Sequence, residues 1–397
     1  MTLRLALALL LCGSALSASA QDATARPLTT LSEADLRPVS SLLPDGVVAL
    51  VTHSLMPEIR MATEVAAPVD VVADVVGTPE DYPRFMPAVS EVALTDRAGA
   101  AQGFRWRFAT AVFAFGGRAY LTRFDGADPS QGVRFELRRT DGDLGQGREV
   151  WRILPAGPGR SLVVMTTRTD LRGANYLTDR VGSASINRSI NIALGVGTLL
   201  RTRQEAERRA GRTTPHAALP FTRPRLDAVR LTGPLAHADL VFVEASDDGQ
   251  TAVLSTFPQP EDRVRAIMRS PEDFAQALVR GSTATVTRTD AEGTFFDWRV
   301  DLPLIGTGGA MRLTEAGRQV RLDATQGALS GGRWRFESYR LPARGTAVLG
   351  WAHFDVADAN FMLRAIVDAD AAFRPGLAAA MDIMMVRALR IRLRRAG

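Results

Sequence analysis

The chain has no lysine, one cysteine and four histidines among its 397 residues. Each scarcity removes a class of chemistry. Without lysine a phosphate-binding G-x-x-x-x-G-K-[ST] loop cannot exist, and Gly306-Thr307-Gly308-Gly309 falls where a strand-to-strand turn is expected rather than ahead of a helix. The lone Cys12 lies within the first twenty residues. Removal of that segment would leave no thiol for a disulfide, a nucleophile or a cysteine-ligated metal. His53, His216, His237 and His353 stand at neither helical nor zinc-like spacings, so no metal or other cofactor is expected. No G-x-S-x-G nucleophile elbow occurs, since Gly182-Ser183-Ala184-Ser185 lacks the second glycine and a preceding strand. No catalytic residue is assigned. Beyond the N-terminus no apolar run is long enough to span a bilayer, and a soluble mature protein is expected.

All 48 basic residues are therefore arginine, set against 43 acidic ones for a net charge of +5. That balance is too even to imply a nucleic-acid partner, and none is expected. The planar guanidinium suits carboxylates and anionic headgroups. A basic C-terminus, Arg387, Arg390, Arg392, Arg394 and Arg395, complements a helix dipole and could also dock transiently on an anionic membrane.

Arg4, the apolar run Leu5 to Leu11 and the small residues Ala18-Ser19-Ala20 form a secretory signal layout with cleavage expected after Ala20. Export to the periplasm or medium is the expectation. Hydrophobic residues make up 46% of the chain, enough for more than one core.

The chain repeats itself. Residues 62–86 lie without a gap on residues 254–278 at an offset of 192, which sets Thr78-Pro79-Glu80-Asp81-Tyr82 on Ser270-Pro271-Glu272-Asp273-Phe274. Further on, Leu144 to Trp151 matches Leu329 to Phe336, and Asp170 to Tyr176 matches Asp355 to Phe361, both at an offset of 185. Both copies end in Arg-Arg-Ala-Gly. A repeat this long is a domain rather than a solenoid unit. The expected organisation is a signal peptide at 1–20, an extension at 21–44, a first domain at 45–211, a linker at 212–234 and a second domain at 235–397.

Within a copy, strands are expected at Val47 to Val51 and Arg60 to Val65, repeated at Leu240 to Val243 and Thr251 to Phe257. Two short helices follow, the second capped by Thr78 (or Ser270), with proline at its first position and Asp81 (or Asp273) facing the free amides. Period-2 alternation then puts Phe104, Trp106 and Phe108 on one face and Arg105 and Arg107 on the other. Phe135 and Leu137 alternate with Glu136 and Arg138 likewise, implying an antiparallel sheet with one apolar and one arginine-rich face. Long helices close the copies at Ser185 to Arg209 and Gly376 to Arg395. The duplicated Asp170/Asp355 and Asn175/Asn360 read as turn and cap residues.

This order of elements, with Ala67-Pro68-Val69 leading into Asp81-Tyr82-Pro83-Arg84-Phe85-Met86-Pro87, resembles the START-like (SRPBCC) superfamily, which includes polyketide cyclases and coenzyme-Q-binding proteins of the Coq10 type. In the second copy Phe274-Ala275-Gln276-Ala277-Leu278 departs from that wording, so the first copy is the better candidate for a working pocket. The resemblance implies an α+β protein of two tandem helix-grip domains, each a curved antiparallel sheet wrapped around a long C-terminal helix with an apolar cavity between them. The expected lining is Phe104, Trp106, Phe108, Tyr120, Phe135, Trp151, Ile190 and Gly197 in the first copy, and Phe296, Trp298, Leu322, Phe336, Met381 and Met384 in the second. Helical glycines such as Gly195 and Gly197 cost stability unless a ligand or close packing needs the space. An exported binding or transfer protein for a lipid, isoprenoid or quinone-like ligand is expected. The alternative is an aromatase/cyclase-type enzyme in which Tyr120 or Arg123 positions a carbonyl.

Overall fold

The computed structural model describes residues 28–395 apart from 55–57, 112–113, 144, 171–183, 213–220, 222, 224–225, 227–230, 232–234, 247–249, 279–281, 303–304, 343–344 and 354–360. The signal layout and the positions Asn175, Asp355 and Asn360 lie outside the described residues.

Unbroken apolar runs open both copies, and these become the central strands β1 (Gly46–Thr52) and β9 (Ala238–Glu244). They pair antiparallel from Gly46↔Glu244 to Thr52↔Ala238. Residues 192 apart are equivalent in the repeat, so Val48 answers to Leu240 and Leu50 to Phe242. The pairs Val48↔Phe242 and Leu50↔Leu240 therefore exchange under a twofold axis through Ala49↔Val241. On the first side follow β2 (Ile59–Val65), β3 (Val89–Ala98), β4 (Ala101–Ala109), β5 (Ala114–Asp125), β6 (Val133–Gly142), β7 (Gln146–Pro155) and β8 (Ser161–Asp170). Their counterparts are β10 (Thr251–Phe257), β11 (Ser282–Asp290), β12 (Gly293–Leu302), β13 (Ile305–Ala316), β14 (Gln319–Gly327), β15 (Arg333–Arg340) and β16 (Thr346–His353). All sixteen form one antiparallel sheet, ordered β11-β12-β13-β14-β15-β16-β10-β9-β1-β2-β8-β7-β6-β5-β4-β3. The protein is α+β, with one large sheet and few helices.

Both faces of the central strands are covered, which is why their apolar runs do not alternate. On the outer face Val48, Leu50, Leu240 and Phe242 pack under Leu31, Leu36, Val39 and Leu43 from the segment before β1 and under Leu226, Leu231 and Leu235 from the segment before β9. The inner face belongs to the main core, where two long helices lie: α3 (Ala184–Arg209) and α7 (Phe373–Arg395). They meet where Ala193 faces Gly376, and a β-carbon on Gly376 would stand 2.7 Å from the Ala193 carbonyl oxygen. Only a glycine permits this approach. With sheet on one side and a second helix on the other, α3 buries Ile192, Ala193, Val196, Leu199 and Leu200, a wider surface than the single stripe read from the sequence.

Pro68 and Pro260, both extended, start the first helices of the two copies, α1 (Val69–Gly77) and α4 (Glu261–Met268). The next helix differs. In the second copy the Ser270 hydroxyl accepts the Asp273 amide at 3.3 Å at the start of α5 (Pro271–Leu278), as expected of a cap. In the first copy Thr78 makes no such bond, and the segment breaks into a turn at Pro79–Asp81 and a short α2 (Tyr82–Phe85). Pro83 has no amide hydrogen with which to continue the helix. Asp81 instead takes ion pairs from Arg84 at 2.7 Å and Arg209 at 3.0 Å.

The junction is pinned by a buried carboxylate. Asp239 of β9 is fully buried and meets His53 at 3.1 Å, the Ser255 hydroxyl at 2.7 Å, Arg390 at 2.8 Å and Arg387 at 3.2 Å. Against the penalty of burial, the His53 hydrogen bond and the charges of Arg390 and Arg387 hold its pKa below the usual carboxylate range. Arg387 also donates to the carbonyls of Thr52, at 2.8 Å, and Val51, at 3.2 Å, so α7 of the second copy grips β1 of the first. Arg392 pairs with Asp273 at 2.6 Å. Three of the five C-terminal arginines thus act within the protein, leaving Arg394 and Arg395 exposed.

A second buried carboxyl has no cation beside it among the described residues. Asp382 of α7 accepts the Thr251 hydroxyl at 2.6 Å through one oxygen while the other has no partner. Burial pushes its pKa up to about 7, opposed only by the Thr251 bond. The folded protein therefore holds a proton that an unfolded aspartate releases above about pH 4. This contribution to stability is complete below that value and is lost as pH rises through about 7. Replacing Asp382 with Asn should remove this slope, raising the melting temperature more near pH 8 than near pH 5 in a calorimetric series.

Candidate functional site

Alternation along the first copy's strands aims one set of side chains at α3. Between that face and the helix lies a cavity of about 160 Å³. Phe104, Trp106 and Phe108 of β4, Leu121 of β5, Leu137 of β6 and Trp151 of β7 make its apolar wall, and Val76, Met86 and Ala88 close the side near α1 and α2. Leu194, Gly195 and Gly197 of α3 form the facing surface. Neither glycine merely leaves a gap. A β-carbon on Gly195 would meet the Met61 methyl at 2.6 Å, and one on Gly197 the Phe373 ring at 3.0 Å. Close packing accounts for both.

The polar part of the lining is concentrated. Arg139 and Glu149 sit on neighbouring strands at 3.4 Å, and Arg139 also hydrogen-bonds the Thr169 hydroxyl. Asn191 donates to the Thr169 carbonyl at 3.1 Å. From α3, Arg201 reaches Asp370, which lies between α6 (Phe361–Ala369) and α7 of the second copy, at 2.6 Å. The Tyr82 hydroxyl donates to the Val76 carbonyl at 2.7 Å. Burial, with the charge of Glu149 adding to it, pushes the Tyr82 pKa above the usual tyrosine range and keeps it a neutral donor. Two further donors are buried without an acceptor, the Trp106 indole N–H and the Arg139 Nε–H. A buried unpaired donor is costly, so an acceptor brought in by a guest would be bound with a corresponding gain. Among the described residues the lining holds no histidine, serine or cysteine. The arrangement can enclose an apolar body and hydrogen-bond an oxygen on it.

Of the expected first-copy residues, Phe104, Trp106, Phe108, Trp151 and Gly197 come together around this cavity. Tyr120 does not. Ala119 and Leu121 on either side of it point inward, so Tyr120 faces out and bonds Asp96 at 3.2 Å beside Arg118. Phe135 lies deeper in the core against Gly77, and Ile190 is half-buried on α3 away from the lining. Arg123 is exposed, outside the lining, over the Phe135 ring and paired with Asp125 at 2.8 Å.

The second copy uses the same frame differently. Strand registers fix the equivalences: Phe104↔Ala119 corresponds to Phe296↔Met311, Leu137↔Glu149 to Leu322↔Trp334, and Trp151↔Met165 to Phe336↔Gly350. Met311 therefore replaces Ala119 and Trp334 replaces Glu149. Trp334 is fully buried, and the Phe336 ring lies over Gly350, where a β-carbon would stand 2.8 Å from it. Phe296, Leu322 and Phe336 are core residues, Met381 packs on that core and Met384 is half-buried. Trp298 borders an open groove with Asp297, Gly309 and Gln326. Among the described residues, most of the expected second lining packs into the core.

Residues 56–188, from β2 to the start of α3, match the family model described as polyketide cyclase / dehydrase and lipid transport, and the START-like resemblance read from the sequence holds for the first copy. Similar solved structures include the Zhui aromatase/cyclase from Streptomyces sp. R1128, 20% identical over 40% of this chain and 99% of its own, with a TM-score of 0.34. The di-domain ARO/CYC StfQ from the steffimycin biosynthetic pathway is 14% identical over 82% of this chain and 98% of its own, at a TM-score of 0.29. The STAR-related lipid transfer protein from Xanthomonas axonopodis is 15% identical over 41% of this chain and 94% of its own, at 0.31. A comparison with curated proteins found no match.

The full burial of Trp334 carries a measurable consequence. Trp334→Ala should cost about 3–5 kcal/mol of unfolding free energy in a urea titration, because the space left cannot collapse within a close-packed core.

Proposed function

We propose that the chain binds or transfers a hydrophobic molecule, holding it in the first copy's cavity with an oxygen of the ligand turned toward Trp106, Arg139 and their neighbours. The observation that carries this reading is a mostly apolar, partly open cavity in which two buried donors lack an acceptor among the described residues. Lipids, isoprenoids and quinone-like molecules have that combination of apolar body and acceptor oxygen. Each copy is taken as a helix-grip domain, at 45–211 and 235–397, joined by the linker 212–234. The N-terminal layout supports export, and a periplasmic carrier needs no catalytic group. Transient contact with an anionic membrane would rest on Arg394 and Arg395.

A second reading is kept on one observation. Tyr82, Arg139 and Glu149 all line the cavity, and the Arg139 guanidinium, with its unpaired Nε–H, could polarise a carbonyl of a polyketide-like substrate. The matched family's description covers both activities.

Extraction of the purified protein with organic solvent, followed by mass spectrometry, should recover an apolar oxygen-bearing molecule in near-stoichiometric amount. The double variant Ala119→Met/Glu149→Trp, which installs the second copy's filling in the first, should stay folded and come out empty. Equal recovery from both proteins would count against this cavity as the binding site.

A further inference from the structure

The first copy's cavity is completed by the second copy. Phe373, the first residue of α7, lines it and stacks edge-on against Phe108 of β4, ring centres 5.6 Å apart. The same ring lies 3.0 Å from where a Gly197 β-carbon would be, so Phe373 sits between the sheet and α3. Ala88 completes the small apolar cluster around it, with Leu194 and Ile366 packed alongside. One side chain holds the ring in place. Asp370 exposes 2% of its side chain and receives Arg201 from Nε at 2.8 Å and Nη2 at 2.6 Å. The same Asp370 oxygen accepts the Ala372 amide at 3.0 Å, while its backbone carbonyl accepts the Phe373 amide at 3.1 Å. Asp370 therefore caps the first turn of α7 and ties that turn to α3 in one arrangement.

We infer that the second copy acts as a fixed end wall for the first copy's cavity, with Phe373 setting the length of ligand accepted and Asp370 positioning it through Arg201. This deepens the binding reading above and rests on it. Gly197 and Phe373 form a matched pair across the two copies, since a β-carbon at 197 would stand 3.0 Å from the ring and press it to shift. Phe373 belongs to packed structure on both sides, so the wall is static and discriminates by size.

The test uses the full chain and a homologous series, the n-alkyl esters of para-hydroxybenzoic acid from methyl to decyl, competing against the fluorescent probe anilinonaphthalenesulfonate. Wild-type affinity should rise with chain length and then break off at a particular ester. In Phe373→Ala the break should move to longer esters, each added methylene that is newly accommodated tightening binding roughly fourfold. Phe373→Met, which keeps most of the packing, should move it less, and Phe373→Trp should move it to shorter esters. Melting curves identify any variant that fails to fold, in which case the Met and Trp variants carry the comparison. Asp370→Asn should blur the break, and Asp370→Glu should restore part of it if the tether to Arg201 is what positions the wall. A wild-type protein that binds the series, with an unchanged break in every folded Phe373 variant, overturns the wall while leaving the binding reading intact. A wild-type protein that binds neither the series nor the probe overturns both.

Discussion

Everything else in the molecule is arranged around the pairing of β1 with β9. Two eight-stranded half-sheets become one because these strands exchange backbone hydrogen bonds along seven residue pairs, and no edge is left at the centre. That pairing sets where the closing helices lie. Both come to the inner face beside the junction, close enough to meet at Ala193 and Gly376, and this contact delivers the start of α7 to the first copy's cavity. Segments ahead of β1 and β9 seal the outer face. The buried charges around Asp239 fit this picture: several kinds of donor converge on one carboxylate, which fixes geometry more than it adds net stability.

On this shared frame the copies have diverged by a few exchanges at inward positions. Met311 stands where the first copy has Ala119 and Trp334 where it has Glu149, so larger side chains occupy inward positions in the second copy. The buried Trp334 and Phe336 give the second copy a packed core, which suits a wall. Openness in the first copy costs packing and leaves donors unpaired, a pattern expected of a site rather than of a scaffold.

Much of this was legible in the sequence. Alternation placed Phe104, Trp106 and Phe108 on the inner face, and the repeat offsets of 192 and 185 reappear as the strand registers on either side of the turn between β5 and β6. Tyr120 faces outward because its neighbours Ala119 and Leu121 hold the inward positions, and its phenol carries no mark of which face it takes. The pair Arg139 and Glu149 was within reach: alternation carried one step past Leu137 puts Arg139 on the apolar face, and Glu149 shares a face with Trp151. Charges at inward positions are a signal in themselves. By contrast Phe373 and Asp370 carry no local mark, because their role arises only when one copy docks on the other. The contents of the second interior were likewise invisible, since a cavity and a core show the same apolar face and differ only in volume.

The twofold at β1 and β9 has a consequence for what can be buried at the seam. In an assembly of two identical chains every residue near the axis appears twice, so a buried carboxylate at one strand would bring its double across the seam. Here Asp239 stands at the position equivalent to Val47, and Thr251 at that of Ile59. In a single chain the seam is free of that duplication, so one carboxylate, unmatched by its symmetry mate, gathers arginines that tie both halves together. The frame is symmetric at the seam while the polar anchor and the two interiors are not.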